Sequence, residues 1–541
     1  MTETTEQLLS QGLFHHRQGQ IELAMQRYTQ VLRTNPENAD ALYYVAVVAC
    51  QEGQYKEGAD LARRAISFGR KDARVFNLLG QALYRMGERL EAAKNFDRAI
   101  EADANFADAH GNRANILADV GMPEEALKSF DRALALNPAS TADWINRGAV
   151  LQGLGRLDEA IASYDKAIAC QANFPEAYVN RGNALKEMGH ADVALGQDAA
   201  AHFDAAEAAY SKAAELNARF AEAPAARGLL RLLRGVWQRG FEDYEHRTEA
   251  GAPTYEPLDA PRWDGQASPG TRLVLVTEQG LGDAVQFCRF APLLAKRGID
   301  VTILTRKAMA PLLSSLPGVS IAVDRAALMS GLDKRPVVWL PLLSVPGVLG
   351  ITPDTIPAEV PYLAALPARV AAWKRKLPSG FRIGINWMSG HAANPAFRRR
   401  DVPLAQFAPL AGISGVQLVS LQKGDGLAQL ADAPFRDKIF MPEADPDADA
   451  DFFLDTAAIM QNLDLVVTCD TSVAHLAGAL ARPVFTALPL VCDWRWLLSR
   501  EDSPWYPTMR LFRQGADKDW TGVFARIAEA ARALATSQKR S

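Results

Sequence analysis

Small and aromatic residues recur along the first half of the chain with a period of 34 positions. Small residues stand at Ala24, Gly58, Ala92, Ala126, Ala160 and Ala194, and an aromatic residue follows four positions later at Tyr28, Phe96, Phe130 and Tyr164. Because residues four apart share one face of a helix, each period predicts a hairpin of two closely packed helices. The pattern resumes at Ala206, 12 positions after Ala194, so we expect an insertion near 195–206 that lengthens a helix or bulges from the stack.

Three asparagines fall one period apart at Asn112, Asn146 and Asn180, and each is followed by arginine. Stacked helix hairpins form a superhelix whose concave face is built from the first helix of each unit. Side-chain amides spaced along that face can pair with the backbone of an extended peptide, which predicts a peptide-binding groove. The alternatives are a solvated inner face, or asparagines that tie one repeat to the next.

A different pattern begins after residue 248. Residues 249–270 contain several prolines and glycines and break the helical periodicity, which indicates a linker. Beyond it, apolar strands alternate with helices over 271–378, and the alternation restarts over 379–541. Such alternation predicts parallel sheets, and the restart predicts two Rossmann-like lobes with a ligand cleft between them. The expected fold is an α-helical solenoid over 1–248 followed by a two-lobed α/β region.

Candidate chemistry lies where the strands of these lobes are expected to end. In EQGLGDAVQF (278–287), Asp283 stands at the mouth of the first lobe, where a carboxylate can take a proton from an acceptor. A helix N-cap is the alternative for this residue. In SLQKG (420–424), Lys423 is placed to reach a phosphate with Gln422 beside it, although an ordinary surface lysine would look the same.

The segment DTSVAH (470–475) turns from an apolar strand directly into a helix. Thr471 and Ser472 put hydroxyl and amide groups at the helix start, where the helix dipole favours a negative charge. This corner therefore predicts a site for a phosphate-bearing ligand. The alternative is a capped helix in which His475 only packs.

Composition narrows the class of protein. A net charge of −4 gives no overall basic field that would attract nucleic acid. The sequence contains no run of about 18 apolar residues, so we expect no membrane-spanning helix. Five scattered cysteines and the lack of a visible secretory signal favour a reducing, cytoplasmic location. The acidic run DPDADAD (445–451) lacks the glycine and the distal glutamate of a calcium loop, so we expect a solvated loop and no metal.

Four segments taken together resemble one family. EQGLGDAVQFCRFAPLLAKRG, SLQKG, CDTSVAHLAGALARPV and DWRWLLSREDSPWYPTMRLFRQ resemble bacterial glycosyltransferases that join tetratricopeptide (TPR) repeats to a GT-B fold. The chain is similar to flagellin-modifying TPR glycosyltransferases and more distantly to heptosyltransferases and O-GlcNAc transferase. The resemblance implies that 271–378 is the acceptor-side lobe and that 379–541 is the lobe for the nucleotide-sugar donor.

The resemblance also implies roles for individual residues. Asp283 is then the catalytic base. The donor-binding residues it implies are Gln422, Lys423, Asp470, Thr471, Ser472 and His475, with Trp387, Asn394 and Arg400 in the segment NWMSGHAANPAFRRRD. Relatives commonly read W-A-G-N-P in that segment, and heptosyltransferases usually have glycine where this chain has Ser472.

We therefore expect a metal-independent glycosyltransferase that moves a sugar from a nucleotide-sugar to a protein recruited by the TPR groove. The nucleotide-sugar is a co-substrate, and no other cofactor is expected. Analogy suggests flagellin as the acceptor and a CMP-linked nonulosonic acid as the donor. Two other functions stay open: an interaction scaffold whose transferase lobes have degenerated, and a glycosyltransferase of polysaccharide assembly. Deletion of the repeats would separate the last of these from a protein-modifying enzyme.

Overall fold

The computed structural model describes residues 3–252, 255, 257–266, 270–330, 336–389, 399–442 and 453–538. The chain divides into two compact units, 1–184 and 185–541, and the division falls inside a single long helix. The finer limits predicted from the sequence, at 248, 270 and 378, remain predictions.

Fourteen helices occupy residues 5–244, all of which the structure describes. They are α1 Thr5–Arg17, α2 Ile21–Thr34, α3 Ala39–Gln51, α4 Tyr55–Ser67, α5 Ala73–Arg85, α6 Arg89–Ala102, α7 Ala107–Asp119, α8 Pro123–Leu136, α9 Thr141–Gly153, α10 Leu157–Cys170, α11 Pro175–Ala194, α12 Ala200–Leu216, α13 Glu222–Leu233 and α14 Trp237–Tyr244. The repeating pair of helices predicted from the 34-residue period is present as a helical solenoid.

Aromatic residues of the period pack against glycines of the partner helix. A Cβ atom on Gly80 would lie 2.6 Å from the ring of Phe96, and one on Gly148 would lie 2.6 Å from the ring of Tyr164. Each glycine belongs to the first helix of a hairpin and each aromatic ring to the second. The ring thus fills the space that a side chain would take, and this lets the two helices pack closely.

The insertion lengthens helices. Helix α11 has 20 residues and α12 has 17, against 13 and 14 in the preceding hairpin α9–α10. Of the two outcomes expected for residues 195–206, helix extension is therefore the one observed.

The last hairpin, α13–α14, packs on the α/β part of its unit. Trp237 stacks on Trp505 with ring centroids 5.6 Å apart and lies edge-on to Trp494 at 5.7 Å. Below the hairpin, the guanidinium of Arg247 binds the buried carboxylate of Glu278 through two hydrogen bonds of 2.7 and 2.9 Å. These contacts make the hairpin an integral part of the second unit.

Ten strands follow in the described residues. They are β1 Arg272–Val276, β2 Asp300–Leu304, β3 Val319–Ala322, β4 Val337–Pro341, β5 Phe381–Asn386, β6 Val416–Ser420, β7 Ile439–Phe440, β8 Leu465–Cys469, β9 Val484–Leu488 and β10 Met509–Arg513. One parallel sheet has the order β3-β2-β1-β4 and the other has the order β10-β9-β8-β5-β6-β7. Every residue of β8 is buried, as expected for a parallel strand covered on both faces.

The helices that accompany the strands include several of a single turn. They are α15 Leu281–Phe287, α16 Phe290–Lys296, α17 Ala310–Leu313, α18 Arg325–Ser330, α19 Val345–Val348, α20 Pro367–Lys376, α21 Ala408–Ala411, α22 Leu454–Met460, α23 Ser472–Ala479 and α24 Thr521–Gln538. Short 3-10 turns cover Glu245–Arg247 and Trp494–Trp496, which matter for the site described next. Helix α24 packs on the second sheet, where Phe524 contacts Phe407 with ring centroids 4.5 Å apart.

Candidate functional site

The residues singled out in the α/β region follow the carboxyl ends of parallel strands. Asp283 lies just after β1, Gln422 and Lys423 after β6, and the corner 470–472 after β8. Since ligands of parallel α/β sheets bind outside these ends, the placement is that of a ligand site. Strands β5 and β8 are neighbours although two other strands separate them along the chain, so the strand order reverses between them.

Arg495 joins the two sheets at this point. Its Nη2 donates to Oδ1 of Asp283 at 2.5 Å, and its Nε donates to Oε1 of Gln286 at 2.7 Å. Its Nη1 donates to Oδ1 of Asp493 at 2.9 Å. The side chain is only 7% exposed, and its guanidinium lies 4.8 Å from the ring centroid of Trp494. One arginine after β9 thus binds two residues of helix α15 in the first lobe.

Asp283 uses both carboxylate oxygens. While Oδ1 accepts from Arg495, Oδ2 accepts the backbone N–H of Gly280 at 2.8 Å. Asp283 is therefore not the N-cap that the sequence offered as an alternative: the N-cap is Gly280, and Asp283, the third helical residue, returns its side chain to the backbone of that cap. The side chain is 19% exposed, so it lies at the edge of the contact between the lobes.

A second arginine continues the charged cluster. Nη2 of Arg400 lies 3.5 Å from Oδ2 of Asp493, and Nη1 lies 3.7 Å from Oδ2 of Asp470. Burial favours the neutral form of Asp493, yet Arg495 and Arg400 outweigh it and hold the pKa of this carboxyl at about 2. Burial raises the pKa of Asp470, with Arg400 opposing that shift. Arg400 is the more open of the two arginines, with 33% of its side chain exposed.

The start of helix α23 is held from below. Thr471 is its N-cap, and the hydroxyl accepts the backbone N–H of Val473 at 3.3 Å while donating to Oδ1 of Asn386 at 2.8 Å. Ser472, the first helical residue, is half-buried. The corner is thus a capped helix start, fixed to the end of β5 by the Asn386 side chain.

His475 is packed one turn into the helix. Its ring stacks on Trp496 with centroids 5.3 Å apart, and Nδ1 lies 3.0 Å from the hydroxyl of Tyr506. Burial lowers the pKa of His475 to about 3, so the ring is neutral near pH 7. These contacts are those of the packed histidine that the sequence offered as an alternative.

Helices α15 and α23 touch where the sequence predicts the phosphate-bearing ligand. A Cβ atom on Gly282 would lie 3.0 Å from Cδ2 of His475 and 3.3 Å from Cα of Ser472. Helix α15 therefore abuts the start of α23 closely, and a side chain at position 282 would require its neighbours to shift.

Gln422 and Trp387, which were predicted to bind the nucleotide-sugar, make hydrogen bonds within the protein. Oε1 of Gln422 accepts hydrogen bonds of 2.9–3.1 Å from the Asn386 side chain and from the backbone N–H groups of Trp387 and Met388. The Trp387 side chain is fully buried, and its Nε1 donates to the carbonyl of Gly426 at 3.0 Å. Both side chains hold the ends of β5 and β6 together. Lys423, in contrast, is exposed, and Asn394 lies outside the described residues.

Two of the three repeat asparagines are hydrogen-bonded to the preceding repeat. Nδ2 of Asn112 donates to Oδ1 of Asn77 at 2.9 Å, and Nδ2 of Asn146 donates to Oδ1 of Asn115 at 3.0 Å. Both bonds run to the preceding repeat, which is the tying role offered as an alternative to a peptide groove. Asn180 is half-buried.

The arginine after each asparagine makes a second set of ties. Arg147 donates to Oδ1 of Asp131 in the preceding repeat at 2.8 Å and to Oγ of Ser163 in its own repeat at 2.7 Å. Arg113 makes the same two bonds one period earlier, to Asp97 and Ser129. This arginine thus links three successive helices.

The central member of the charged cluster, Arg495, was not predicted from the sequence. Arg495 and Asp493 belong to the DWRW segment, which carried the resemblance but suggested no role for single residues. The available signal was an arginine set between two tryptophans, an arrangement that favours a buried guanidinium stacked on aromatic rings.

Among the described residues, no group of three or more His, Cys, Asp or Glu side chains is placed to hold a metal ion. No helix in them is both long and apolar enough to cross a membrane. The acidic run 445–451 lies outside the described residues.

Known protein families match the amino-terminal, helical part of the chain. Residues 15–82, 73–106 and 107–140 match the tetratricopeptide repeat family, and residues 153–189 match the TPR repeat family. The amino-terminal helices are therefore tetratricopeptide repeats. Arrays of such repeats present extended surfaces that bind other proteins.

Two curated proteins and several solved structures are similar to parts of the chain. Protein FlbA of Caulobacter vibrioides is 32% identical over 335 residues, which cover 58% of this chain and 55% of FlbA. The Protein CTR9 homolog of Arabidopsis thaliana is 33% identical over 92 residues, covering 17% of this chain and 8% of that protein. The chain thus spans little more than half of FlbA and a small part of the other relative.

Similar solved structures overlap the chain only in part. YrrB, a TPR protein described as having an unusual peptide-binding site, is 24% identical with a TM-score of 0.28, covering 32% of this chain and 90% of YrrB. PilF of Pseudomonas aeruginosa is 20% identical with a TM-score of 0.35, covering 40% of this chain and 94% of PilF.

Proposed function

We propose that the chain is a GT-B glycosyltransferase that moves a sugar from a nucleotide-sugar to a protein bound by its TPR repeats. The observation that carries the proposal is the meeting of Asp283 and Arg495, which brings the carboxyl ends of both parallel sheets to one charged site. A transferase of this kind needs an acceptor-side base and donor-side cations at one place, and that contact supplies both.

The topology supports two doubly wound lobes. The first sheet has the strand order 3-2-1-4. Read from the opposite edge, the second sheet has the order β7-β6-β5-β8-β9-β10. When its strands are renumbered from 1 along the chain, this order is 3-2-1-4-5-6, which is that of dinucleotide-binding folds. In such folds the ligand lies where the strand order reverses, here between β5 and β8. Asn386 and Thr471 lie at that point and are hydrogen-bonded to each other.

The reaction that fits these residues is a direct displacement. The acceptor hydroxyl gives its proton to Asp283, and the acceptor oxygen forms a bond to the anomeric carbon of the sugar. The bond from that carbon to the phosphate oxygen breaks, and its electron pair stays on the phosphate. Arg400, Lys423 and the start of helix α23 stabilise that negative charge.

The TPR repeats favour a protein acceptor because such arrays bind proteins along an extended surface. Flagellin as the acceptor and a CMP-linked nonulosonic acid as the donor rest on analogy with flagellin-modifying TPR glycosyltransferases. Neither follows from the geometry of the site.

A scaffold function has one observation in its favour. The cations of the cluster are already paired with Asp283, Asp470 and Asp493, and Gly282 lies tightly against the donor corner. A chain whose transferase lobes have degenerated would keep this closed arrangement and would bind no nucleotide-sugar.

The experiment that separates the two functions is a thermal-shift screen of the full chain against UDP-, GDP-, ADP- and CMP-linked sugars. A ligand that binds only the folded protein stabilises it by about 2.7 kcal/mol at 100 times its dissociation constant. We expect one nucleotide class to raise the melting temperature, and we expect Arg400→Ala and Lys423→Ala to reduce that rise. Lys374→Ala, an exposed residue of helix α20, is the matched control. No shift with any donor would favour the scaffold.

The acceptor is tested by deleting residues 1–136, which removes four complete hairpins. A protein-modifying enzyme should then keep nucleotide binding and lose transfer to its protein acceptor. A polysaccharide enzyme should retain transfer. The deletion stops well before Trp237, because α13–α14 are needed by the second unit.

A further inference from the structure

The charged side chains that surround Arg495 are paired with one another. Two arginines, Arg400 and Arg495, face three carboxylates, those of Asp283, Asp470 and Asp493. With all five groups ionised, the site carries one net negative charge. A phosphate entering this arrangement meets cations that are already neutralised, so its binding requires at least one of them to change partner.

The bond between Asp283 and Arg495 crosses between the parts of the chain that carry the two sheets. It connects helix α15 of the first lobe to the segment after β9, and the same helix is pressed against Ser472 and His475 through Gly282. A phosphate that contacts the first residues of α23 on this side would displace α15. Asp283 moves with α15 when that happens, whereas Asp493 stays beside Arg495 because the two residues belong to one short turn.

We infer that Arg495 changes partner during the reaction: it exchanges its bond to Asp283 for a bond to the donor phosphate when the donor binds. The inference rests on the proposed function. Donor binding then does two things at once, since it supplies a cation for the leaving phosphate and frees a carboxylate oxygen of Asp283 for the acceptor proton. Arg495 is in this respect a positioning residue for Asp283, and the base becomes available only after the donor has bound.

A double-mutant cycle on the full chain tests this exchange. Binding of UDP, GDP, ADP and CMP is measured by calorimetry for the parent, Asp283→Asn, Arg495→Gln and the double variant. Asn keeps an oxygen for the Gly280 N–H but offers the guanidinium no charge. We expect Asp283→Asn to tighten nucleotide binding about fivefold or more, the low end of typical coupling between two sites.

The effect of Asp283→Asn is compared in chains with arginine and with glutamine at position 495. If the gain comes from releasing Arg495, Asp283→Asn should change affinity by less than about twofold when Arg495 is already glutamine. An equal gain in both backgrounds would mean that Asp283 only repels the anion through space, and the exchange would be refuted. Asp502→Asn, which removes an exposed carboxylate paired with Arg500, is the charge-matched control and should leave affinity unchanged.

Two outcomes need separate treatment. Should Arg495→Gln fail to fold, Arg495→Lys replaces it in the cycle, because lysine keeps the charge but cannot bridge both carboxylates as a planar fork does. If none of the four nucleotides binds the parent or Asp283→Asn, the proposed function fails and this inference fails with it. Binding with an additive cycle removes the inference alone.

Discussion

The indole rings of Trp237 and Trp505 stack with an interplanar angle of 21°, although 268 positions separate them along the chain. Trp237 belongs to helix α14 and Trp505 to the segment before β10. Both side chains are almost completely buried. The last helical hairpin is consequently a structural part of the unit that carries the two sheets.

Replacing Trp237 by alanine should destabilise the second unit. The loss of a large buried ring costs about 3–5 kcal/mol, with aromatic contacts adding to it. Calorimetric unfolding of the full chain should show one transition shifted down. Leu229→Ala, an exposed residue of the neighbouring helix α13, should leave that transition in place. Equal behaviour of the two variants would contradict the integral role of the hairpin.

The buried pair of Arg247 and Glu278 should be costly to break from one side. Arg247→Met leaves the carboxylate of Glu278 buried without its cation, a change that costs about 3–5 kcal/mol in comparable sites. Adding Glu278→Gln removes the stranded charge while keeping an acceptor for the backbone N–H of Leu343. Chemical denaturation should therefore find the double variant more stable than Arg247→Met alone, and a less stable double variant would refute this account.

Acid should destabilise the protein partly through His475. The folded state keeps this ring neutral down to a pKa of about 3, whereas in the unfolded chain it takes up a proton below about pH 6.5. Lowering the pH therefore favours unfolding, by about 3 kcal/mol between pH 7 and pH 4. His475→Gln should flatten the stability profile over that range. His190, whose pKa burial also lowers to about 3, should contribute a separate and additive share, which His190→Gln would reveal.

The repeat ties should be unequal in strength. Asn146→Ala removes one hydrogen bond to Asn115 and should cost about 1 kcal/mol. Arg147→Ala removes bonds to both Asp131 and Ser163, so it should destabilise the repeats more than Asn146→Ala does. Urea unfolding of each variant measures the difference. If Asn146→Ala left stability unchanged but weakened binding of a protein partner, the groove interpretation would be favoured instead.

The sequence predicted the elements better than it predicted side-chain partners. Periodicity marks helix hairpins and buried strands because it reflects a repeated local geometry, and an aromatic residue of the period such as Phe96 does pack between the two helices of its hairpin, against Gly80. Polar side chains carry no comparable local signal. Gln422 was expected to bind the nucleotide-sugar. Its side-chain oxygen instead accepts three hydrogen bonds from residues at the end of β5, about 35 positions upstream.

The same reason explains Arg495. Its role depends on Asp283, which lies 212 positions away and reaches it only through the packing of two lobes. A charged residue within an aromatic segment can be recognised as unusual from the sequence, but its partner cannot. Asp283 was identified because a glycine-rich turn after a strand is itself a local pattern.

The arginine ties also limit how the array of repeats can change in length. Arg147 has aspartate before it and serine after it, at Asp131 and Ser163, whereas Arg227 has serine before it and aspartate after it, at Ser211 and Asp243. An ordinary repeat inserted after α12 would leave its own arginine with a serine on each side and no carboxylate, and it would give Arg227 a carboxylate on each side. Gain or loss of repeats during evolution is therefore compatible with the interior of the array and is opposed at this joint.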